Sequence, residues 1–323
     1  MKQRLISTFA VFLLLLGACS KNDDSLPDGK NNNNNYVTGY IFYKQGLQGI
    51  RKLNLSNGEL TDVMPPWSYA GWDISWNGKT GVKKEEPASY DTRYIIFDVA
   101  SGTTIREIKY EPDGYRGGLP HLSPDGKLLA LTPTVEEGLV FLDMSGNVLR
   151  NIGGYGTTHE FEYLDPIAWE PAGTILFKKD GGLWRTTSDF SKATKVRDIP
   201  FSDWEGEASA SPDGKKIAIP AGNHIWLMNS DGSDFHAITE SNQKELSPSF
   251  SPDSKYLAIA ANARAPEIPG SSPNAFHLCL VPADGKVYKV LPGEDSRVIH
   301  PQEKGNPRSD GLGMTIVGDF VWR

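Results

Sequence analysis

Ala208-Ser-Ala-Ser-Pro-Asp-Gly-Lys-Lys-Ile-Ala-Ile219, followed by His224-Ile-Trp-Leu-Met-Asn-Ser-Asp-Gly-Ser-Asp-Phe235, is a stretch that most of the remaining sequence restates. Ser211-Pro212-Asp213-Gly214 has turn chemistry at every place. Ser opens the turn, Pro presets φ at the second position, Asp bonds back to the backbone, and Gly closes. The flanks alternate or run apolar, as strands do. Ser123-Pro-Asp-Gly-Lys-Leu-Leu-Ala130 and Ser251-Pro-Asp-Ser-Lys-Tyr-Leu-Ala258 repeat the pattern closely. Ser75-Trp-Asn-Gly-Lys79 and Glu170-Pro-Ala-Gly-Thr174 are degenerate copies at the same phase. From Ser75 through Ser123, Glu170 and Ser211 to Ser251 the steps are 48, 47, 41 and 40 residues. A four-stranded propeller blade needs about 40–45 residues.

Working outward, three strands are expected at the start: Tyr40-Ile-Phe-Tyr43, Ile50-Arg-Lys-Leu-Asn-Leu55 and Leu60-Thr-Asp-Val63. They match the second, third and fourth strands of a repeat that lacks its first. Blade 2 is expected over Trp72 to Tyr110, blade 3 over Leu119 to Gly153, and blade 4 over about Leu164 to Ile199. Blade 5 is expected over Ala208 to Thr239 and blade 6 over Pro248 to Pro292. The final Met314-Thr-Ile-Val-Gly-Asp-Phe-Val-Trp-Arg323 reads as the missing first strand of blade 1, closing the ring and removing both sheet edges. The expected fold is therefore all-β, a six-bladed propeller with four-stranded antiparallel blades whose C-terminal strand joins blade 1.

The Ser-Pro-Asp-Gly-Lys repeats with Ile-Trp-Leu-Met-Asn-Ser-Asp-Gly-Ser resemble the TolB-like six-bladed β-propellers over nearly all of residues 37–323. Members named for TolB itself are periplasmic and carry an additional N-terminal domain, for which this sequence has no room, so their partners are not carried over. WD40 repeats are a poorer match, because their Gly-His and Trp-Asp signature is absent from the third strands. Oligogalacturonate lyases are similar propellers that bind a metal through clustered histidines, including a closely spaced pair. No such pair occurs among His121, His159, His224, His236, His277 and His300.

Residues 1–18 combine a basic start (Lys2, Arg4) with the apolar run Phe9 to Leu16, the pattern of a secretory leader. Leu16-Gly17-Ala18-Cys19 resembles the bacterial lipoprotein box, which implies cleavage before Cys19 and acylation of that cysteine. Ser20 resembles outer-membrane sorting, and Ser20-Lys-Asn-Asp-Asp24 is similar to the acidic export tag of surface lipoproteins in Bacteroidota-type bacteria. Residues 19–36, with Asn31 to Asn35 near their end, have too little apolar content to offset the entropy of ordering and read as a tether. Its stretched reach is about 50 Å. The head, residues 37–323, is expected to be monomeric.

The formal charge of −7 becomes −9 once Lys2 and Arg4 leave with the leader, which disfavours nucleic acid or an anionic membrane surface as partner. The second cysteine, Cys279, lies in the apolar run Phe276 to Val281 and reads as a small buried hydrophobe. No nucleophile elbow, P-loop, His-Glu-x-x-His or EF-hand pattern appears, so neither cofactor nor metal is expected.

In a four-stranded meander the first-to-second and third-to-fourth turns share one face, where all the Ser-Pro-Asp-Gly turns fall. The long connections fall on the opposite face, the default place for binding. Their candidate ligand contacts are Trp67, Trp72, Tyr115, Arg116, Tyr155, Trp204, Arg264 and Arg308, suited to a sugar, a peptide or a protein. Alternatively, each large aromatic packs its own loop onto the propeller. Two residues before each turn, blades 4, 5 and 6 have Ala168, Ser209 and Ser249, whereas blades 2 and 3 have Asp73 and His121. That departure marks either a site or a hydrogen-bonded pair between neighbouring blades. The expected function is binding or scaffolding at the long-loop face. The alternative is a carbohydrate-active, lyase-like enzyme using Asp73, His121, His159 or His300.

Overall fold

The computed structural model describes residues 37–44, 49–66, 71–88, 91–112, 117–156, 160–201, 204, 206–261 and 275–323. Blade 1 holds β1 (Tyr40–Lys44), β2 (Ile50–Asn54) and β3 (Leu60–Asp62). Blade 2 holds β4 (Trp72–Ile74), β5 (Thr80–Ala88), β6 (Asp91–Asp98) and β7 (Thr104–Tyr110). Blade 3 holds β8 (Pro120–Leu122), β9 (Leu128–Thr134), β10 (Gly138–Asp143) and β11 (Val148–Ile152). Blade 4 holds β12 (Ile167–Trp169), β13 (Ile175–Lys179), β14 (Gly182–Thr186) and β15 (Ala193–Asp198). Blade 5 holds β16 (Ser209–Ala210), β17 (Lys216–Ala221), β18 (His224–Asn229) and β19 (His236–Ala237), with β20 (Thr239–Glu240) continuing its outer edge. Then come β21 (Leu246–Phe250), β22 (Tyr256–Ala261), β23 (Ala275–Pro282), β24 (Tyr288–Lys289), β25 (Thr315–Val317) and β26 (Phe320–Trp322).

The strand orders are those of six four-stranded antiparallel blades, and β26 is the innermost strand of blade 1, pairing Ile41 with Trp322. The ring thus closes through the last strand, as expected. The last ten residues do more than that, because Met314 to Arg323 hold two strands. β25 is the outer strand of blade 6, paired to β23, and only β26 enters blade 1. The run after the Asp284-Gly285 turn, which the sequence places as blade 6's fourth strand, instead turns away. β24 pairs in parallel with β20 on the edge of blade 5, with Tyr288 fully buried there. A short apolar run after a turn fits either neighbour equally well, and burial of the Tyr288 ring against blade 5 decides between them.

Six apolar clusters, one at each blade-to-blade interface, make up the core. The repeat explains how. Strand side chains alternate between faces, so the second strand of each motif serves two interfaces at once. Ile217 and Ile219 pack toward blade 4, and Ala218 between them packs toward blade 6. Leu257 and Ile259 pack toward blade 5 while Ala258 packs toward blade 1, and Leu129, Ala130 and Leu131 repeat the arrangement in blade 3. Blades 1, 2 and 4 carry Phe42, Val82 and Leu176 at the place of that alanine, so the bulk-and-alanine arrangement belongs to blades 3, 5 and 6.

The turns are held by the motif itself. Ser211 is fully buried, its Oγ donates to Asp213 Oδ1 at 2.7 Å, and the same Oγ accepts the Lys216 N–H at 2.9 Å. Ser123 and Ser251 do the same with Asp125 and Asp253. In blade 4, Glu170 replaces the serine because Arg185 grips its carboxylate from two nitrogens and also donates to the Ser230 carbonyl of blade 5.

Candidate functional site

The innermost strands enclose a central cavity of about 160 Å³. Strand pairing puts Asp73, His121, Ala168, Ser209, Ser249 and Val321 at one register position, each two residues before its turn or the chain's equivalent point, and all six line that cavity. Asp73 and His121 therefore face the same volume, although the structure does not join them to each other.

Asp73 is buried and its carboxylate is fully engaged. Oδ2 accepts the Leu122 N–H of blade 3 at 2.8 Å, Oδ1 accepts the Ile74 N–H at 2.7 Å, and Arg323 approaches Oδ1 at 3.4 Å. Two other members of this position make the same inter-blade bond. Ser209 Oγ accepts from Phe250 N–H at 3.2 Å and Ser249 Oγ accepts from Trp322 N–H at 2.9 Å. Asp73 is thus an enlarged version of the serine clamp that ties one inner strand to the next. Arg323 also donates to the Ile74 carbonyl at 2.7 Å. Burial lowers its guanidinium from the ordinary range, and the Asp73 charge opposes that shift.

His121 behaves differently. Its Nε2 is buried without a hydrogen-bond partner and lies 3.5 Å from Glu207 Oε1, a carboxylate that reaches over from the start of blade 5. Half of the Glu207 side chain, 52%, remains exposed. Desolvation pushes Glu207 up to about 7, with His121 opposing and the carboxylates of Asp319 and Asp73 adding to the rise. Burial raises Asp319 as well. Glu207 lies two residues before Ser209 and Asp319 two before Val321, so they hold the same phase of the repeat at the channel mouth. The other blades have Gly71, Leu119, Pro166 and Ser247 there. Sequence comparison at the next inward-pointing phase picks out this pair, two residues before the position held by Asp73 and His121.

Of the other candidates, Tyr155 and Trp204 spend their rings on packing. Tyr155 stacks on Phe177 at 5.5 Å and donates to the Phe190 carbonyl, and Trp204 is 3% exposed beneath the Lys178 ammonium. Trp72 is half-buried against the cluster between blades 1 and 2. Arg308 is ion-paired to Asp310 on the blade 6 excursion. His300 is not among the cavity-lining residues. Both of its ring nitrogens are buried without partners, and burial beside His277 lowers it to about 4. Trp67, Tyr115, Arg116, His159, Arg264 and Cys19 lie outside the described residues. Cys279 is fully buried and desolvation raises its thiol. Among the described residues no three His, Cys, Asp or Glu side chains converge to hold a metal ion.

With this geometry in place, the comparisons concern the fold. No protein-family model matches the chain, and no curated protein matches it. Solved structures do. A TolB structure from Acinetobacter baumannii superposes at a TM-score of 0.59 and 16% identity over 88% of this chain, which spans 66% of that protein's length. A protein described as a TolB from Agrobacterium tumefaciens superposes at 0.55 and 18% identity, covering 79% of this chain and 88% of that one. An oligogalacturonate lyase in complex with manganese aligns at only 0.48 and 14% identity over 69% of this chain and 71% of its own. The fold is that of a TolB-like six-bladed propeller.

Proposed function

We propose that this propeller is a binding protein of the bacterial cell envelope, lipid-anchored in the outer membrane through Cys19, that takes a protein, peptide or glycan at its long-loop face. One observation carries the reading. Ionisable groups at the channel mouth, Glu207 and Asp319, occupy a repeat position that the other four blades fill with Gly, Leu, Pro or Ser, and His121, which lines the same channel, lies 3.5 Å from Glu207. Charged groups kept in a confined space at a cost in solvation are a mark of a site.

The enzymatic alternative has less support. Asp73 uses both oxygens structurally, and His300 lies away from the cavity that His121 lines. The test is a peptide and glycan array probed with the full chain and with Glu207→Gln. Binding that weakens in the variant supports the reading. Binding that is indifferent to Glu207, or turnover of a glycan, sinks it.

A further inference from the structure

We infer that the outer edge of blade 2 is an interface for a second copy of this chain, with β7 pairing antiparallel to β7 of that copy about a two-fold axis at Ile108. The inference goes beyond the binding function proposed above, and β7 contributes nothing to the lining of the channel.

The edge is open. β7 is the last strand of its blade, and among the described residues no strand pairs with its outer side. Such an edge presents a row of backbone N–H and C=O groups that another extended chain can continue. The propeller shortens or covers three of its other edges. The outer strands β3 and β25 hold three residues each, and β24 lies along the edge of blade 5. β7 runs for seven residues, and Ile105 on it is 59% exposed.

Charge selects both the partner and the register. A two-fold axis between antiparallel strands sets one residue opposite its own copy, and the residues before it opposite those after it. About Ile108, Glu107 faces Lys109 of the second copy and Lys109 faces its Glu107, which gives two cross-strand ion pairs on one face. Moving the axis by one residue sets Glu107 against Glu107 or Lys109 against Lys109, and an axis at Arg106 sets arginine against arginine. Within its own blade Lys109 lies directly opposite another cation, Arg93. Arg93 takes Asp91 at 3.0 Å and Glu107 at 3.5 Å, leaving Lys109 the longer-range field of Asp91. Glu107 of the second copy supplies Lys109 with a counter-charge across the edge.

The neighbouring rim strands do not suit a copy in this way. Self-pairing of β15 about Val196 sets Lys195 against Arg197, and β11 carries Arg150 with no acidic residue on the strand. The head is then a pair rather than the monomer expected from the sequence, because the complementarity of the edge appears only once β7 is placed on the rim.

The experiment is sedimentation velocity of the purified full chain in detergent over a concentration series. All variants share the same anchor and micelle, so a difference between them reports on β7. A monomer–dimer equilibrium is expected for the parent. Glu107→Lys and Lys109→Glu are each expected to weaken it about tenfold or more, since each sets like charges across the axis twice. Mixed one to one, the two variants should associate as a heterodimer, because each supplies the charges that the other lacks. The chain carrying both changes should again pair with itself. A purely intramolecular role of Glu107 beside Arg93 predicts neither rescue. Thermal melts confirm that each variant is folded, and if Glu107→Lys melts low through loss of the Arg93 contact, Lys109→Glu and the doubly changed chain decide. A parent that stays monomeric at every concentration overturns the inference. Single variants that dimerise as tightly as the parent, or a mixture that associates no better than its components, overturn it equally. None of these outcomes touches the binding function, which the array with Glu207→Gln tests separately.

Discussion

Asp73 and His121 depart from the same small-residue position for different physical reasons. Asp73 satisfies two backbone N–H groups and faces Arg323, so Asp73→Ala should destabilise by about 1–3 kcal/mol. Asp73→Ser should lose less, because Ser209 and Ser249 show that a hydroxyl at this phase reaches the next strand. His121→Ser should melt close to wild type, and the double change should be additive, since no bond joins the two side chains. Recovery of stability in the double would show a coupling that this geometry lacks.

Two titrations act at the same scale with opposite signs. Glu207 has its folded value raised to about 7, so the stability it contributes is present at low pH and is lost as pH rises through 7. Glu207→Gln should therefore raise the urea midpoint more at pH 8 than at pH 5. His300 is lowered to about 4, so the unfolded chain binds the extra proton, and stability is lost as pH falls from about 6.5 toward 4. His300→Leu should flatten that acid limb, and an unchanged limb would remove His300 as its cause. Ser254 illustrates a cheaper departure. It takes φ of 63° where the other turns use glycine, and its Oγ accepts the Asp213 N–H across the blade interface, which offsets the strain.

Elements are joined here by strands that leave their own blade. β26 buries Trp322, whose Nε1 donates to the Thr38 carbonyl at 3.1 Å, in the cluster between blades 6 and 1. Trp322→Ala should cost about 3–5 kcal/mol by cavity formation. Deleting residues 314–323 removes β25 as well as β26, leaving an outer edge on blade 6 and an inner one on blade 1. Aggregation or a large fall in melting temperature is expected. A deletion variant that melts normally would show that the ring closes otherwise. The β20–β24 pairing belongs to the same scale, since it fastens the excursion of blade 6 to the edge of blade 5.

For the whole molecule, the proposed address rests on the Leu16-Gly-Ala-Cys19 box. Cys19→Ser should abolish palmitate labelling and detergent partitioning in a bacterial host while leaving the melt of the propeller unchanged. Persistent labelling would remove the anchor, and with it the outer-membrane placement, without touching the fold.

Blade number, phase and the closure strand were legible in the sequence because they follow from short-range physics. Ser-Pro-Asp-Gly dictates its own turn through bonds spanning a few residues, and apolar alternation states which strands are buried on both faces. The asymmetry of bulk and alanine in blade 5 is likewise written in Ile217-Ala218-Ile219. The site was only half legible. Comparing repeats picks out Asp73 and His121 as unusual, but that one is a backbone clamp and the other faces Glu207 depends on side chains brought across the channel from blades far apart in sequence. The course of β24 was decided in the same way, by which neighbouring blade buries Tyr288. Local chemistry sets the repeat, whereas the closed ring alone determines which side chains meet at its centre.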